Sequence, residues 1–219
     1  MLIVDGVEMP RVDSVIGLDL SLTGPGLALI EEPWGKHDPV RPIALTMDRV
    51  PRGEAQRGLI LKEAAEAVGH LAAESTKRHM FRVACMESLL LQSGTGKAPE
   101  RAAFWWMVRG ELESLGFAVV TVHPTTRRAL IMDEQARSEH RAMPVKHRTT
   151  QGKKLGLASV RRRWESVLIP DDNAGDALMC AEIGARGIGW EGFPLLDGGR
   201  EKLMESAIQK LSIERKETR

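Results

Sequence analysis

The sequence predicts an α/β fold in which a mixed five-stranded sheet is flanked by helices, with a helical tail at the C-terminus. Short apolar runs bounded by glycine or proline recur along the chain and are typical of buried strands. Longer segments between them repeat apolar residues every three or four positions, which predicts helices. A short turn joins the first two runs and helices separate the later ones. We therefore expect a hairpin followed by alternating helices and strands.

The predicted sheet begins with a hairpin whose strands cover 14–19 and 26–30, because the segment between them carries a glycine and a proline. Three further apolar runs are predicted to be strands: 41–47, 83–87 and 117–122. Three helices are predicted in the same part of the chain: 54–78, 99–115 and 124–131.

The remainder of the chain is predicted to be mostly helical. The segment 132–152 has many charges and little periodicity, so we expect a mobile loop there. Helices are predicted from about 153 to the residue before Pro170, over 172–186 and over 202–211, and the stretch 187–199 has the composition of a linker. The chain is accordingly divided into a domain over 1–186 and a linker with a helical tail over 187–219.

Composition limits the class of protein. At 219 residues and 24.2 kDa the chain can build a substantial core, and its 42% hydrophobic and 28% charged residues match ordinary soluble proteins. No apolar stretch is long enough to span a membrane and no signal-peptide pattern opens the chain, so we expect a cytoplasmic protein. Cys85 and Cys180 lie in apolar segments without paired spacing and are expected to be small buried hydrophobes.

Charge is distributed unevenly along the chain. Between His123 and Glu165 there are eleven Lys or Arg residues and four Asp or Glu, a local charge of +7. The net charge of the protein is only +1, so the remainder carries −6. A solvated charged loop would explain such a segment, but its combination with the acidic residues described next favours contact with a nucleic acid.

Three acidic residues stand where carboxylates are costly unless they are paired or bind a cation. Asp19 ends an apolar run before a turn, Glu87 ends a second run, and Asp176 lies within an apolar helix. Asp19 could instead cap a turn, and Glu87 could close a strand at the solvent edge. If all three converge, they would hold divalent metal for phosphodiester hydrolysis, and Gly24 and Gly26 would keep the approach of substrate clear.

The start of the helix that carries Asp176 is rich in polar residues. Helical spacing places Asp172 and Asn173 on the same face as Asp176. Asp171, Asp172 or Asn173 could cap the helix, and the sequence does not decide which one does so. Asp176 lies too far into the helix to be a cap.

These motifs, taken in order, resemble those of the RuvC family of Holliday-junction resolvases, within the RNase H-like superfamily, and its phage-type members in particular. The first motif is matched by the segment 17–24, the second by Met86-Glu87, and the last by the segment 173–178. Arg109-Gly110 matches a further helical motif. The resemblance covers about residues 14 to 186, and each motif alone is weak.

The resemblance implies a site and its cofactor. Asp19, Glu87 and Asp176 would be ligands of Mg²⁺ or Mn²⁺, with two ions in the site. Asn173 stands where the family usually has aspartate or histidine, so either Asp172 completes the site or the second ion is held more weakly. Asn173 could still coordinate through its carbonyl oxygen.

The resemblance also implies DNA contacts. The basic residues that would contact phosphates are Arg127, Arg128, Lys153, Lys154, Arg161, Arg162 and Arg163. The position that would wedge open a junction falls on Leu89-Leu90-Leu91, with Leu90 as the candidate, although three leucines could equally be core. Phosphate contacts hold DNA without reading its sequence.

The function implied by the resemblance is endonucleolytic resolution of four-way junctions, leaving a 5′-phosphate and a 3′-hydroxyl. A homodimer is expected because paired incisions need two active sites. Trp105, Trp106 and Arg109 are predicted to lie off the core face of their helix and could form its interface, or could be covered by another part of the chain. A broader debranching nuclease, an RNase H acting on hybrids and a non-catalytic junction-binding module remain as alternatives.

Overall fold

A computed structural model describes residues 2–4, 6–9, 11–32, 40–53, 56–76, 81–89, 98–211 and 213–215. Its strands are β1 (Leu2–Val4), β2 (Val7–Met9), β3 (Ser14–Asp19), β4 (Gly26–Glu31), β5 (Ile43–Thr46), β6 (Arg82–Glu87), β7 (Phe117–Val122) and β8 (Ile213–Arg215). Its helices are α1 (Arg57–Ser75), α2 (Ala98–Ser114), α3 (Pro124–Ile131), α4 (Glu134–Ala142), α5 (Val145–Arg163), α6 (Asp172–Gly187) and α7 (Gly198–Ile208).

The main sheet has five strands in the order β5-β4-β3-β6-β7. The hairpin β3–β4 and the pair β4–β5 are antiparallel, whereas β3, β6 and β7 run parallel to one another. Parallel neighbours need a crossover connection, and α1 and α2 supply the two that this sheet requires. The predicted mixed five-stranded sheet with flanking helices is confirmed.

Different helices cover the two faces of the sheet. Alternate residues of β3 point to opposite sides, so Val15 joins the core beneath α6 while Ile16 joins the core beneath α1 and α2. α6 crosses β3 and β4, and twelve of its sixteen residues are buried. The helix that carries Asp176 is therefore fixed against the middle of the sheet.

Two glycines set the distance between α6 and the sheet. A Cβ on Gly17 would come within 2.0 Å of the carbonyl oxygen of Ala177, and a Cβ on Gly26 within 2.1 Å of the carbonyl oxygen of Asn173. Only a residue without a side chain fits at either position. Gly26 faces the helix, so the expectation that it clears a path for substrate is wrong.

The segment 132–152 is not a loop, contrary to the prediction. Asp133 caps α4 by accepting a hydrogen bond from the amide of Ala136 at 2.8 Å, and α5 begins directly after Pro144. The prediction failed because these helical turns are strongly charged and have little apolar periodicity, whereas capping residues stabilise a helix start without any such pattern.

The C-terminal part is more ordered than its linker-like composition suggests. Asp197 caps α7, which begins four residues earlier than predicted, and Phe193 and Leu196 pack against the core beneath α6. Met204 and Ala207 belong to the same core. A small antiparallel sheet in the order β2-β1-β8, which was not predicted from the sequence, joins the two ends of the described chain.

Two further expectations concern cysteines and membranes. Cys85 and Cys180 are free and fully buried, as predicted. Within the described residues, every helix is too short or too polar to cross a bilayer.

Candidate active site

Asp19, Glu87 and Asp176 lie at one edge of the main sheet. Asp19 ends β3 and Glu87 ends β6, and because these strands are parallel neighbours their carboxyl ends meet at the same edge. α6 brings Asp176 over this edge from the face of the sheet that it covers. All three acids line one cavity of about 990 Å³, to which Asp172 and Asn173 also contribute.

The start of α6 assigns separate roles to its polar residues. Asp171 is the cap, since its carboxylate accepts a hydrogen bond from the amide of Ala174 at 3.0 Å and another from the hydroxyl of Thr46. Asp172 is thereby left to line the cavity, where it forms an ion pair with Lys153. The capping question that the sequence left open is settled in favour of Asp171.

Asn173 has a structural contact within the site. Its side-chain amide donates a hydrogen bond to the carbonyl oxygen of Gly24 at 2.7 Å, which ties the β3–β4 turn to the start of α6. Gly24 itself has φ of +149°, a backbone conformation that a side chain would strain. The carbonyl oxygen of the Asn173 side chain remains a neutral donor atom that could face a cation.

Arg127 connects two of the three acids. Its guanidinium group donates to Glu87 Oε2 at 2.7 Å and forms a second ion pair with Asp176. The side chain is only 4% exposed, so its placement is that of a buried counter-ion rather than of the solvent-facing phosphate contact expected from the sequence. Burial alone would lower its pKa, but Asp176 and Glu87 together raise the pKa above its usual value.

The carboxylate of Asp19 differs from those of Glu87 and Asp176 because, among the described residues, it has no hydrogen bond and no ion pair. Burial raises the pKa of Asp19 to about 7, and the neighbouring charges of Asp176 and Glu87 add to this effect against the opposing charges of Arg127 and Lys153. Burial also raises the pKa of Asp176, although Arg127 opposes that shift. A cation next to Asp19 would relieve an unfavourable negative charge.

Trp105 supports the same edge from α2. Its indole nitrogen donates a hydrogen bond to the backbone carbonyl oxygen of Glu87 at 2.8 Å, and the ring is buried. The prediction that Trp105 lies off the core face of its helix is therefore wrong, because Trp105 packs in the same core as Phe104. Trp106 alone is exposed, with 61% of its surface accessible, and Arg109 is paired with Glu113.

Five of the seven basic residues predicted to contact DNA divide into two groups. Arg128 and Lys153 line the cavity with the acids, and both are exposed. Lys154, Arg161 and Arg162 instead line a separate depression. Arg161 donates to the carbonyl oxygens of Ile169 and Pro170, and Arg162 is paired with Asp133.

Arg163 is buried and paired with Glu182, so it is not available to a surface ligand.

Four further basic residues that line the cavity were not predicted from the sequence: Arg101, Arg137, His140 and Arg148. Three of them lie in the segment mistaken for a loop, which is why no helical face was assigned to them. Leu89 lines the cavity, while Leu90, the wedge candidate, lies outside the described residues.

The carboxylate and amide oxygens of this cavity are suitable ligands for a hard divalent cation, since Mg²⁺ and Mn²⁺ prefer carboxylate and carbonyl oxygens. In the part of the chain that the structure describes, no three acidic, histidine or cysteine groups are arranged as a ready-made metal site. The guanidinium of Arg127 instead forms ion pairs with both Glu87 and Asp176. The unpaired, largely buried carboxylate of Asp19 is the feature that fits a bound cation.

Comparisons with known proteins identify the fold. No protein-family model matches the chain, and no curated protein matches it significantly. The structure is similar to that of Thermus thermophilus RuvC, with a TM-score of 0.52 and 15% sequence identity over 83% of this chain and 99% of that one. It is also similar to T. thermophilus RuvC in complex with Holliday junction substrate, with a TM-score of 0.53 and 14% identity over the same shares. The chain therefore has the RNase H-like fold of RuvC, with its mixed five-stranded sheet flanked by helices.

Proposed function

We propose that this protein is a divalent-metal-dependent endonuclease that cuts branched DNA, with the four-way Holliday junction as its principal substrate. The observation that carries the proposal is the convergence of Asp19, Glu87 and Asp176 in one cavity at the carboxyl ends of parallel strands. The likeness in fold to RuvC, one of whose structures is a complex with a Holliday junction substrate, adds support.

In this proposal Asp19 is the central metal ligand, and Glu87, Asp176 and Asp172 are the other acids of the site. A bound Mg²⁺ or Mn²⁺ would supply an activated water and neutralise charge on the phosphoryl oxygens. The exposed side chains of Arg128 and Lys153 at the cavity wall hold the scissile phosphate near these acids. Hydrolysis leaves a 5′-phosphate and a 3′-hydroxyl.

The DNA contacts in the proposal are electrostatic. The basic residues Arg101, Arg128 and Lys153 line the same cavity as the acids. A DNA strand that reaches Asp19 would therefore contact these positive charges. Such contacts bind the phosphate backbone irrespective of sequence, which leaves the geometry of the junction to determine where the enzyme cuts. A homodimer, with Trp106 at its interface, would deliver the two symmetric incisions.

A second candidate, a junction-binding module without catalytic activity, is favoured by one specific observation. Arg127 forms ion pairs with both Glu87 and Asp176, so these two acids are partly stabilised in the absence of any metal. This module would bind a four-way junction through the same cations and would not cleave it in Mg²⁺ or Mn²⁺.

A competition experiment tests the proposal. Labelled four-way junction, three-way fork, linear duplex and RNA–DNA hybrid are mixed with the protein in Mg²⁺ and, separately, in Mn²⁺. We expect paired nicks in the junction, slower cutting of the fork, and intact duplex and hybrid. Preferential cutting of the hybrid would indicate an RNase H, whereas equal cutting of junction and fork would indicate a broader debranching nuclease. Binding without cleavage in either metal would favour the non-catalytic module.

A further inference from the structure

Arg127 introduces a permanent positive charge into the carboxylate site. It reaches the site from α3, which follows β7 directly and begins with the cap His123. Its guanidinium binds a carboxylate oxygen of Glu87 and one of Asp176, and the side chain is almost completely buried. Moving it out would leave the partly buried carboxylates of Glu87 and Asp176 without this partner, which is unfavourable.

The charge of the site is sufficient for one divalent cation. Four carboxylates are present, those of Asp19, Glu87, Asp172 and Asp176, and two of the charges are balanced by the ion pairs to Arg127 and Lys153, which leaves a formal charge of −2. Asn173, the remaining polar group at the start of α6, is neutral. Two divalent ions would bring four positive charges to a site whose formal charge is only −2.

The unpaired carboxylate lies apart from the arginine bridge. Asp19 has no described partner, whereas Glu87 and Asp176 are both held by Arg127. A cation that binds beside Asp19 gains the most, because Asp19 is the one acid of the three that forms no ion pair among the described residues. The space between Glu87 and Asp176 is already taken by the guanidinium.

We propose, building on the nuclease function proposed above, that the site binds one divalent cation beside Asp19 and that Arg127 occupies the place of a second. Arg127 is then a positioning residue: it fixes Glu87 and Asp176 and prevents a second ion from binding between them. This replaces the two-ion site expected from the sequence. Arg128, the next residue on the same helix, is exposed and has no such role.

Counting bound Mn²⁺ tests this directly and requires no cleavage. The full-length chain without DNA is titrated with Mn²⁺ at about pH 8, and free Mn²⁺ is measured by electron paramagnetic resonance. We expect one Mn²⁺ per chain in the wild type and in Arg128→Gln, the matched control. Arg127→Gln is expected to bind two, with the spectral broadening of a coupled pair, while Arg127→Lys, which keeps the charge, stays at one.

Two Mn²⁺ ions in the wild type would overturn the inference, and junction cleavage in the same preparation would leave the proposed function intact. One ion in both the wild type and a folded Arg127→Gln variant would likewise overturn the claim that Arg127 excludes a second ion. If Arg127→Gln does not fold, two bound ions in the wild type or in Arg127→Lys would still overturn the inference. An absence of bound Mn²⁺ together with an absence of cleavage would overturn the inference and the proposed function together.

Discussion

Gly17 of β3 lies so close to Ala177 of α6 that a Cβ at position 17 would come within 2.0 Å of the Ala177 carbonyl oxygen. Ala177 directly follows Asp176, and Asp19 lies two residues after Gly17. The absence of one side chain therefore brings a strand carboxylate and a helix carboxylate to the same cavity. A substitution here is expected to affect both the stability of the protein and the site.

Gly17→Ala is expected to lower the free energy of unfolding by about 3 kcal/mol, the upper end of the usual cost of overpacking, because the obstructing atoms are backbone and cannot move aside. Chemical denaturation measures the change. Gly110→Ala is the control, since Gly110 is an exposed residue of α2 and a Cβ added there would meet nothing within 4 Å. It should stabilise the protein by about 0.5–1 kcal/mol. Equal effects at the two glycines would contradict the close packing of α6.

Asp19 should make stability depend on pH. Its carboxyl group has a pKa of about 7 in the folded protein and 3.8 as the reference for the unfolded chain, so the folded state binds this proton more tightly. The contribution of this bound proton to the free energy of unfolding is complete below about pH 4 and is lost as the pH rises to about 7. Between about pH 5 and pH 8, in EDTA, the wild type is expected to lose on the order of 1–2 kcal/mol more stability than Asp19→Asn. Parallel pH profiles for the two proteins would show that Asp19 is not perturbed.

Glu182 forms a buried ion pair that holds α5 against α6. It is fully buried and is paired with Arg163 and Arg186. Glu182→Gln is expected to lower the free energy of unfolding by about 3–5 kcal/mol, because it leaves the charge of Arg163 buried without its partner. Glu66→Gln removes an exposed pair with Lys62 and should change stability by less than about 1 kcal/mol. Equal denaturation midpoints for Glu182→Gln and Glu66→Gln would contradict this role of Glu182.

Lys153 and Arg128 are expected to contact DNA phosphates. Replacing either with Gln should weaken junction binding and lower the salt dependence of the binding constant by about one phosphate contact. Arg162→Gln serves as the control, since Arg162 lies in a separate depression and is paired with Asp133. Fluorescence anisotropy over a range of salt concentrations measures the slopes. An equal loss of slope in Arg162→Gln would place the DNA elsewhere on the surface.

Local signals in the sequence were sufficient for most of the main sheet. The apolar runs at β3, β6 and β7 are bounded by turn residues, and Pro124 marks the start of α3. Those signals also placed Asp19 and Glu87 at strand ends, from which their meeting at one edge follows. The main sheet and the positions of Asp19 and Glu87 were thus predictable from patterns of a few residues.

The pairing of Arg127 was not predictable in this way. Its partner Glu87 lies 40 residues away in the chain, and an arginine in a basic segment resembles its exposed neighbour Arg128 in every local property. Trp105 was misplaced for a related reason, because only the folded structure brings the carbonyl group of Glu87 within reach of its indole. Long-range polar contacts leave no periodicity in the sequence.

Metal-dependent cleavage through Asp19 is the central claim about this protein. A labelled synthetic four-way junction should therefore be incubated in Mg²⁺ or Mn²⁺ with the wild type and with Asp19→Asn, while junction binding is measured on the same samples. We predict paired nicks by the wild type, loss of nicking in Asp19→Asn, and retained junction binding by both. Equal cleavage by the two proteins, or binding without cleavage by the wild type in either metal, would contradict the claim.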